Sequence, residues 1–186
     1  MSAAAAAEKL MTADEFLLLP DDGRPRELVR GRVVYMNVPW PRHGQICVKV
    51  VRFLANFVEE RALGHVVGND SGVRTERGPD TVRGADVAFY SFGRVPPGPF
   101  PEGYLPAAPE LVFEVRSHTD RWPTVLAKVA EYLDAGVSVV CVLDDATETA
   151  HVYTADQSPR TVTADQKLAL PDVLPGFEVV VRRFFQ

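Results

Sequence analysis

The clearest amphipathic helix of this chain is predicted between residues 43 and 63. Apolar side chains recur there three or four positions apart, as on one face of a helix. The series comprises Ile46, Cys47, Val50, Phe53, Leu54, Phe57 and Val58. A second helix is predicted from Arg121 to Ala135, before Gly136, because glycine is favoured just beyond helix ends. The aromatic residues of the first helix belong to its apolar stripe, which favours core packing over base stacking.

The chain before residue 40 predicts a short helix followed by a β-hairpin. Thr12 and Glu15 form a capping-box pattern ahead of the apolar run FLLL, which predicts a helix start. Within residues 27–36, two β-rich stretches flank Arg30 and Gly31, and this pattern is typical of a hairpin.

Three strands are predicted after the first long helix. They cover residues 64–76, with a break near 68–72, residues 82–90 and residues 111–116. Prolines at six positions within 93–109 exclude a helix or a central strand there. Residues 137–143 are almost wholly apolar, as expected for a strand covered on both faces, and short antiparallel strands are predicted after it. The order predicts an α/β (α+β) domain with a mixed sheet.

Length, composition and charge narrow the class of protein. The 186 residues, 46% hydrophobic and 24% charged, fit a single globular domain, which we assign to residues 11–186 after a flexible N-terminus at 1–10. The net charge of -5 excludes a uniformly basic nucleic-acid coat. Nucleic-acid binding would therefore need a local basic patch. No apolar run reaches the roughly 18 residues of a membrane span, so no membrane association is expected.

The two cysteines favour a reducing compartment. Cys47 and Cys141 lie in apolar segments without a metal-like spacing to other cysteines or histidines. We therefore expect both to be buried thiols of a cytoplasmic protein.

Two carboxylates embedded in apolar strands are the candidate chemistry. Asp86 lies in ADVAFY and Glu114 in ELVFEVR, where a buried carboxylate needs a cation, hydrogen-bond donors or a raised pKa. If the two strands are neighbours, both carboxylates can converge on one Mg2+ ion. A purely structural alternative, in which each carboxylate pairs with a nearby arginine, stays open. The phosphate-binding and dinucleotide-binding glycine motifs are absent, so no organic cofactor is expected.

These segments together resemble a known family. The succession MTADEFLLLPDDGRPRELVRGRVVYM, PRHGQI, RGADVAFY, APELVFEVRS, KVAEYLDAGV and VVCVLDD is similar to the Uma-type "putative restriction endonuclease" family. That family was long catalogued as a domain of unknown function and belongs to the PD-(D/E)XK nuclease superfamily. The resemblance extends from about residue 11 to about residue 177. It implies a restriction endonuclease-like αβββαβ core and a nuclease that hydrolyses DNA with Mg2+ or Mn2+.

The resemblance also assigns roles to particular residues. Asp86 and Glu114 match the family's metal ligands, which a backbone carbonyl near Val115 completes. Lys128 matches the site lysine of the family. In the wider superfamily this lysine usually stands two residues after the second acid, whereas the resemblance implies that in this family it lies on the following helix. The metal would polarise the scissile phosphate, and Lys128 would orient the attacking water or stabilise the developing charge.

Further polar residues are assigned around this site. Glu27 and His43 match polar residues of the family's site, where Glu27 extends the acidic cluster and His43 contacts phosphate or shuttles a proton. Arg116 stands where the superfamily has lysine and is a candidate phosphate contact, because arginine stays protonated. Arg30 and Arg42 are further candidate phosphate contacts. Since cleavage of a duplex needs one active site for each strand, a homodimer is expected.

Other interpretations of these residues stay open at this stage. Lys128 lies off the apolar stripe of its helix and could be solvated, His43 could simply occupy a first helical turn, and Glu27 could pair with a hairpin arginine. The arginines at positions 24, 26, 30 and 32, which cluster within nine residues, could form a phosphate-facing patch or equally a solvated face. The alternative functions are a catalytically inactive interaction protein with the nuclease fold and another Mg2+-dependent phosphotransfer enzyme. Convergence of Asp86, Glu114 and Lys128 in one pocket would favour the nuclease.

Overall fold

The computed structural model describes residues 9–186, so most of the predicted flexible N-terminus lies outside the described residues. The helices are α1 (Ala13–Leu17), α2 (Pro41–Glu60), α3 (Trp122–Asp134) and α4 (Arg182–Phe185), and the strands are β1 (Arg26–Val29), β2 (Arg32–Tyr35), β3 (Gly64–Glu76), β4 (Thr81–Ser91), β5 (Leu111–Arg116), β6 (Val139–Asp144), β7 (Thr149–Tyr153), β8 (Arg160–Val162), β9 (Lys167–Leu170) and β10 (Leu174–Val180). The order α2, β3, β4, β5, α3, β6 is the predicted αβββαβ core. The predicted α/β class is therefore confirmed.

The main sheet is mixed. Within the described residues it has eight strands in the order β2-β1-β4-β5-β6-β7-β8, with β3 paired to β4 outside that path. The strands β5 and β6 are parallel and are connected through α3, whereas the other pairs are antiparallel. This connection places α3 over the sheet beside β5.

The strands β1 and β5 lie along the same edge of β4. The strand β3 follows the other edge of β4 over nearly its whole length. On the shared edge, β5 lies opposite residues 87–89 and β1 lies opposite Val82. The β4 residues in between, 83–86, therefore face a gap between β1 and β5, which we call the fork.

Both faces of the sheet are covered. On one face α2 packs together with the hairpin β9–β10 and α4, and on the other face α3 packs through Val129 and Tyr132. The α2 stripe, spaced four residues apart, is Ile46, Val50, Leu54 and Val58. Phe53 and Phe57 pack against the same core, which agrees with the predicted core role. The fork thus lies between two helical layers.

The N-terminal elements follow the predicted local signals. Thr12 accepts a hydrogen bond from the Glu15 backbone and Glu15 caps the Thr12 backbone in return, which completes the capping box of α1. Arg30 and Gly31 both have positive φ, 49° and 73°, as two-residue hairpin turns require. The Met11 N–H donates to the Gly31 carbonyl, so the chain before α1 is fixed to this hairpin.

Several helix and strand ends shift by one to three residues from the predicted ranges, and two differences have a clear physical cause. The last residues form α4 instead of a strand, because Phe184 and Phe185 are both buried. Adjacent residues of a strand point to opposite faces, whereas a helical turn allows both to pack on one core. The strand β6 begins at Val139 rather than Val137, since the Val137 N–H donates to the Tyr132 carbonyl at the end of α3.

The cysteines are both free thiols. Cys141 is fully buried in β6, as expected. Cys47 is only half-buried, which corrects the expectation of a core thiol, because its side chain turns toward His43. No helix among residues 9–186 combines the length and apolar character that a membrane span needs.

Candidate active site

A cavity of about 820 Å³ opens at the fork. Its walls come from β1, the connection between β2 and α2, the first turn of α2, β3, β4, β5 with the loop after it, and α3, and Phe16 of α1 and Tyr104 of the loop before β5 also line it. The predicted site residues that line it are Glu27, His43, Asp86, Glu114, Val115, Arg116 and Lys128. The structure therefore brings the five predicted catalytic side chains to one place.

Asp86 lies on β4 at the fork and is 8% exposed. Its Oδ2 accepts a hydrogen bond of 2.6 Å from the Val115 N–H and lies 3.3 Å from His43 Nε2. Burial alone would raise the pKa of Asp86, but the hydrogen bond and charge of His43, with the charge of Lys128, lower it below its ordinary value. Asp86 is therefore a buried, ionised carboxylate.

Glu114 projects from β5 toward α3. Its Oε2 accepts from Lys128 Nζ and its Oε1 from the Tyr132 hydroxyl, both at 2.9 Å. Burial raises the pKa of Glu114 to about 7 even though the Lys128 charge opposes this, and the charge of Asp86 acts in the same direction as burial. Asp86 and Glu114 thus differ in proton affinity.

Lys128 faces the cavity, not solvent. Its side chain is 18% exposed, and Nζ lies 2.9 Å from Glu114 and 3.3 Å from Glu27. Burial lowers the pKa of Lys128, but these two carboxylates raise it above its ordinary value. Lys128 and Tyr132, one helical turn apart, also donate to the Gly84 carbonyl. The alternative of a solvated lysine is therefore excluded by its position.

Glu27 lies on β1, on the side of the fork opposite β5. It is 5% exposed, accepts a hydrogen bond of 3.0 Å from the Gly84 N–H and lies 2.8 Å from Arg83 NH1. Arg83 also reaches Glu131 of α3 at 2.7 Å. The arginine that pairs with Glu27 is therefore a β4 residue that the sequence analysis did not single out, rather than a hairpin arginine.

His43 lies in the first turn of α2, next to Asp86. Burial would lower its pKa, but hydrogen bonds and charge from Asp86 and Cys47 raise the pKa of His43 to about 11. Its Nδ1 lies 3.5 Å from Cys47 Sγ, and burial raises the pKa of that thiol. His43 is thus a protonated donor to Asp86 at neutral pH.

Asp70 is a cavity residue that the sequence analysis missed. It lies in an irregularity of β3, between Gly68 and Ser71, with a positive φ of 53°. Burial and the charge of Asp86 raise the pKa of Asp70. A Cβ added at Gly84 would lie 3.0 Å from the Asp70 Cβ, so the glycine makes room for this acid. The predicted break at 68–72 was the sequence signal for it.

The three candidate phosphate contacts have different surroundings. Arg116 lines the cavity, where it pairs with Asp144 at 2.7 Å and lies over the ring of Trp122. Arg30 is exposed and lies 3.9 Å from Glu76. Arg42 bonds to Asp145 and to the Phe185 carbonyl. Arg30 and Arg42 are therefore engaged outside the cavity.

The donor atoms at the fork fit a hard divalent cation. Asp86 and Glu114 supply carboxylate oxygens, the ligands that Mg2+ prefers. The N–H and C=O of one strand residue point to the same side, and the Val115 N–H reaches Asp86, so the Val115 carbonyl points into the fork as well. The raised pKa values of Asp70 and Glu114 reflect buried negative charge, which a cation would neutralise.

Comparisons with known proteins identify the family and the fold of this chain. The family model Uma2, described as "Putative restriction endonuclease", matches residues 13–182. A crystal structure described as a putative nuclease belonging to DUF820 from Anabaena variabilis is similar, with a TM-score of 0.78 and 19% sequence identity, and the match covers 94% of this chain and 97% of that chain. A comparison with curated proteins finds no match. Because the family model spans most of the sequence, this chain belongs to the Uma2 family.

Proposed function

We propose that this protein is a Mg2+-dependent endonuclease that hydrolyses phosphodiester bonds of DNA. The observation that carries the proposal is the convergence of Asp86, Glu114 and Lys128, from three different elements, in one cavity. The family description as a restriction endonuclease and the description of the structural neighbour as a nuclease support the same reaction class.

The metal ligands in this proposal are Asp86, Glu114 and the Val115 carbonyl, with Mn2+ as an alternative to Mg2+. When bound, the metal would polarise the phosphodiester and lower the pKa of a coordinated water. Glu114 needs to lose its proton to serve as a ligand, and its pKa of about 7 allows this at neutral pH.

The chain's own cations would stabilise the phosphate. Lys128 is held by Glu27 and Glu114, so its ammonium group is fixed where negative charge grows on the phosphate oxygens. The pKa of His43 near 11 favours a hydrogen-bond donor to phosphate over a proton shuttle. Arg116 adds a permanent charge at the cavity wall.

We further propose that the enzyme works as a homodimer in the cytoplasm. Cleavage of both strands of a duplex calls for two sites, and residues 9–186 of one chain hold one candidate nuclease site. The free thiols of Cys47 and Cys141 support a reducing compartment. Light scattering on the purified protein tests the assembly, and a monomer at working concentrations would contradict it.

The direct test is cleavage of supercoiled and single-stranded DNA with Mg2+ or Mn2+, with EDTA as a control. Asp86→Asn and Glu114→Gln keep the side-chain shapes and remove the ligand charge, so we expect loss of cleavage in both. Glu178→Gln is the matched control, because this exposed glutamate pairs with Lys167 on the C-terminal hairpin. Cleavage that persists in the two site variants refutes the assigned site.

The same assay separates the alternative functions. A folded protein that cleaves no DNA with either metal, but hydrolyses nucleotides, would favour a phosphotransfer enzyme. A folded protein inactive on DNA, RNA and nucleotides would favour a non-catalytic scaffold.

A further inference from the structure

A second group of metal-binding side chains lies beside the carboxylates of the cavity. His43 and Cys47 are four residues apart on α2, so both lie on one helix face, and Asp86 reaches the same point from β4. Their donor atoms lie within 4.8 Å of one another. Nitrogen, sulfur and oxygen donors together differ from the all-oxygen set that Mg2+ prefers, and they suit Zn2+.

The spacing of the sulfur and nitrogen donors fits a tetrahedral ion. Zn–S bonds of about 2.3 Å and Zn–N bonds of about 2.0 Å place sulfur and nitrogen about 3.5 Å apart in a tetrahedron. Cys47 Sγ lies 3.5 Å from His43 Nδ1, whereas Asp86 Oδ2 lies 3.3 Å from the other ring nitrogen, Nε2. Because the ring gives one nitrogen to one ion, Zn2+ binding at Nδ1 requires the Asp86 carboxylate to turn toward the sulfur, within the 4.8 Å that the donor atoms span. A helical His-x-x-x-Cys pair therefore presents two ligands at the required separation once Zn2+ has displaced a proton from His43 and the proton of the Cys47 thiol, because both groups bind a metal in their deprotonated forms.

Packing restricts two of the three ligand side chains, and the site opens to the cavity. The His43 side chain is 14% exposed and that of Asp86 is 9% exposed, so packing restricts both side chains. Both residues line the cavity at the fork, through which an ion can enter. Water from the cavity can then fill the fourth coordination position, as in zinc sites with three protein ligands.

We propose that His43, Cys47 and Asp86 form a Zn2+ site that shares Asp86 with the Mg2+ site. Zn2+ binding does not depend on the proposed nuclease activity. One consequence does rest on that proposed function: because Asp86 serves both ions, bound Zn2+ withdraws a Mg2+ ligand. Zn2+ is therefore an inhibitor of cleavage, and excess Mg2+ relieves the inhibition.

The test uses Co2+ as a spectroscopic substitute for Zn2+ on the metal-free full chain. We expect one Co2+ per chain, the strong visible bands of a four-coordinate ion and a thiolate-to-cobalt charge-transfer band, all of which Zn2+ abolishes. Because loss even of outer-shell partners typically weakens metal binding about 10–100-fold, Cys47→Ser should weaken Zn2+ binding at least about 10-fold. It should also remove the charge-transfer band.

Matched variants keep the result interpretable. Cys141→Ala changes the other free thiol, which is buried in β6, and it should retain the charge-transfer band. Cys47→Ala serves as a second ligand variant, and circular dichroism verifies the fold of each protein. A six-coordinate cobalt spectrum without a thiolate band, or a band that persists in both Cys47 variants, overturns the Zn2+ site.

DNA cleavage is measured separately, so the two proposals can fail independently. Zn2+ binding in a protein that cleaves no substrate refutes the nuclease proposal and supports the site. Cleavage that bound Zn2+ does not inhibit refutes the shared use of Asp86.

Discussion

Replacing Lys128 by methionine is the most informative perturbation of the cavity. The substitution keeps an unbranched side chain of similar length and removes one positive charge that two buried carboxylates share. We expect three effects with different signs: lower stability, lower activity and tighter binding of the divalent metal.

The magnitude of the stability loss follows from the contacts of Lys128. Its Nζ lies 2.9 Å from Glu114 and 3.3 Å from Glu27, which at an effective dielectric constant of about 20 corresponds to attractions of about 6 and about 5 kcal/mol before desolvation is subtracted. Removing one partner of a buried pair typically costs about 3–5 kcal/mol. We expect about 3 kcal/mol, the lower end, because Glu114, with a pKa of about 7, takes up a proton once its cation is gone.

The other two effects have separate causes. Loss of a charge aimed at the developing phosphate charge should lower kcat by at least about 100-fold. Mn2+ should bind more tightly, because the cation that competed for Glu114 is absent. Urea denaturation followed by circular dichroism, Mn2+ calorimetry and plasmid cleavage measure the three quantities. Lys167→Met is the matched control, since Lys167 pairs with Glu178 at 2.7 Å but in solvent, where such pairs contribute little to stability.

Two outcomes would refute this reasoning. If Lys128→Met unfolds at the same urea concentration as Lys167→Met, the buried ion pairs provide no net stability. If it cleaves DNA like the wild type with unchanged Mn2+ affinity, Lys128 is not part of the reaction site.

Three further predictions concern other parts of the fold. Asp80 is 7% exposed; burial opposes its ionisation, but hydrogen bonds from backbone N–H groups and Arg74 lower its pKa below 3.8. The stabilisation by the ionised Asp80 carboxylate is therefore present above the unfolded-state pKa and is lost as pH falls through the folded-state pKa. Urea titrations should show that Asp80→Asn lowers the free energy of unfolding by about 3 kcal/mol at pH 7 and by progressively less toward pH 3. Gly64→Ala should lower the Tm or prevent soluble expression, because a Cβ there would lie 2.0 Å from the carbonyl oxygen of Tyr90; an unchanged Tm would contradict the β3–β4 pairing. Tyr132→Phe removes the hydroxyl bonded to Glu114 and should cost about 1–2 kcal/mol in chemical denaturation, and a stability gain would show that the hydroxyl is not a partner.

The layout of the core could be predicted because its signals are local. The α2 stripe repeats every four residues, and β6 is apolar up to its last residue, Asp144, and buried on both faces, so the sequence pattern alone identifies both. The segment that became α4 has a strand-like composition, and only its packing against the α2 side of the core selects the helical turn. Such tertiary effects do not appear in a single sequence.

The candidate site was only partly accessible to the same reasoning. Asp86 and Glu114 stood out as carboxylates within apolar strands. Lys128 was identified only through the family resemblance, because its position off the apolar stripe of its helix favours a solvated side chain. Asp70 and Arg83 were missed because their positions depend on an irregularity of β3 and on the fact that β1 and β5 share an edge of β4. Sheet topology of this kind is not encoded in local spacing.

At the fork, the backbone N–H and carbonyl of Gly84 form hydrogen bonds with side chains instead of with a neighbouring strand. The Gly84 N–H donates to Glu27, and its carbonyl accepts from Lys128 and Tyr132. The Gly84 amide can therefore exchange its hydrogen with water only when this cluster opens, whereas the amides of residues 87–89 are protected by ordinary strand pairing. The exchange rate at this single amide reports how often the cavity rearranges, in the absence of metal, substrate or mutation.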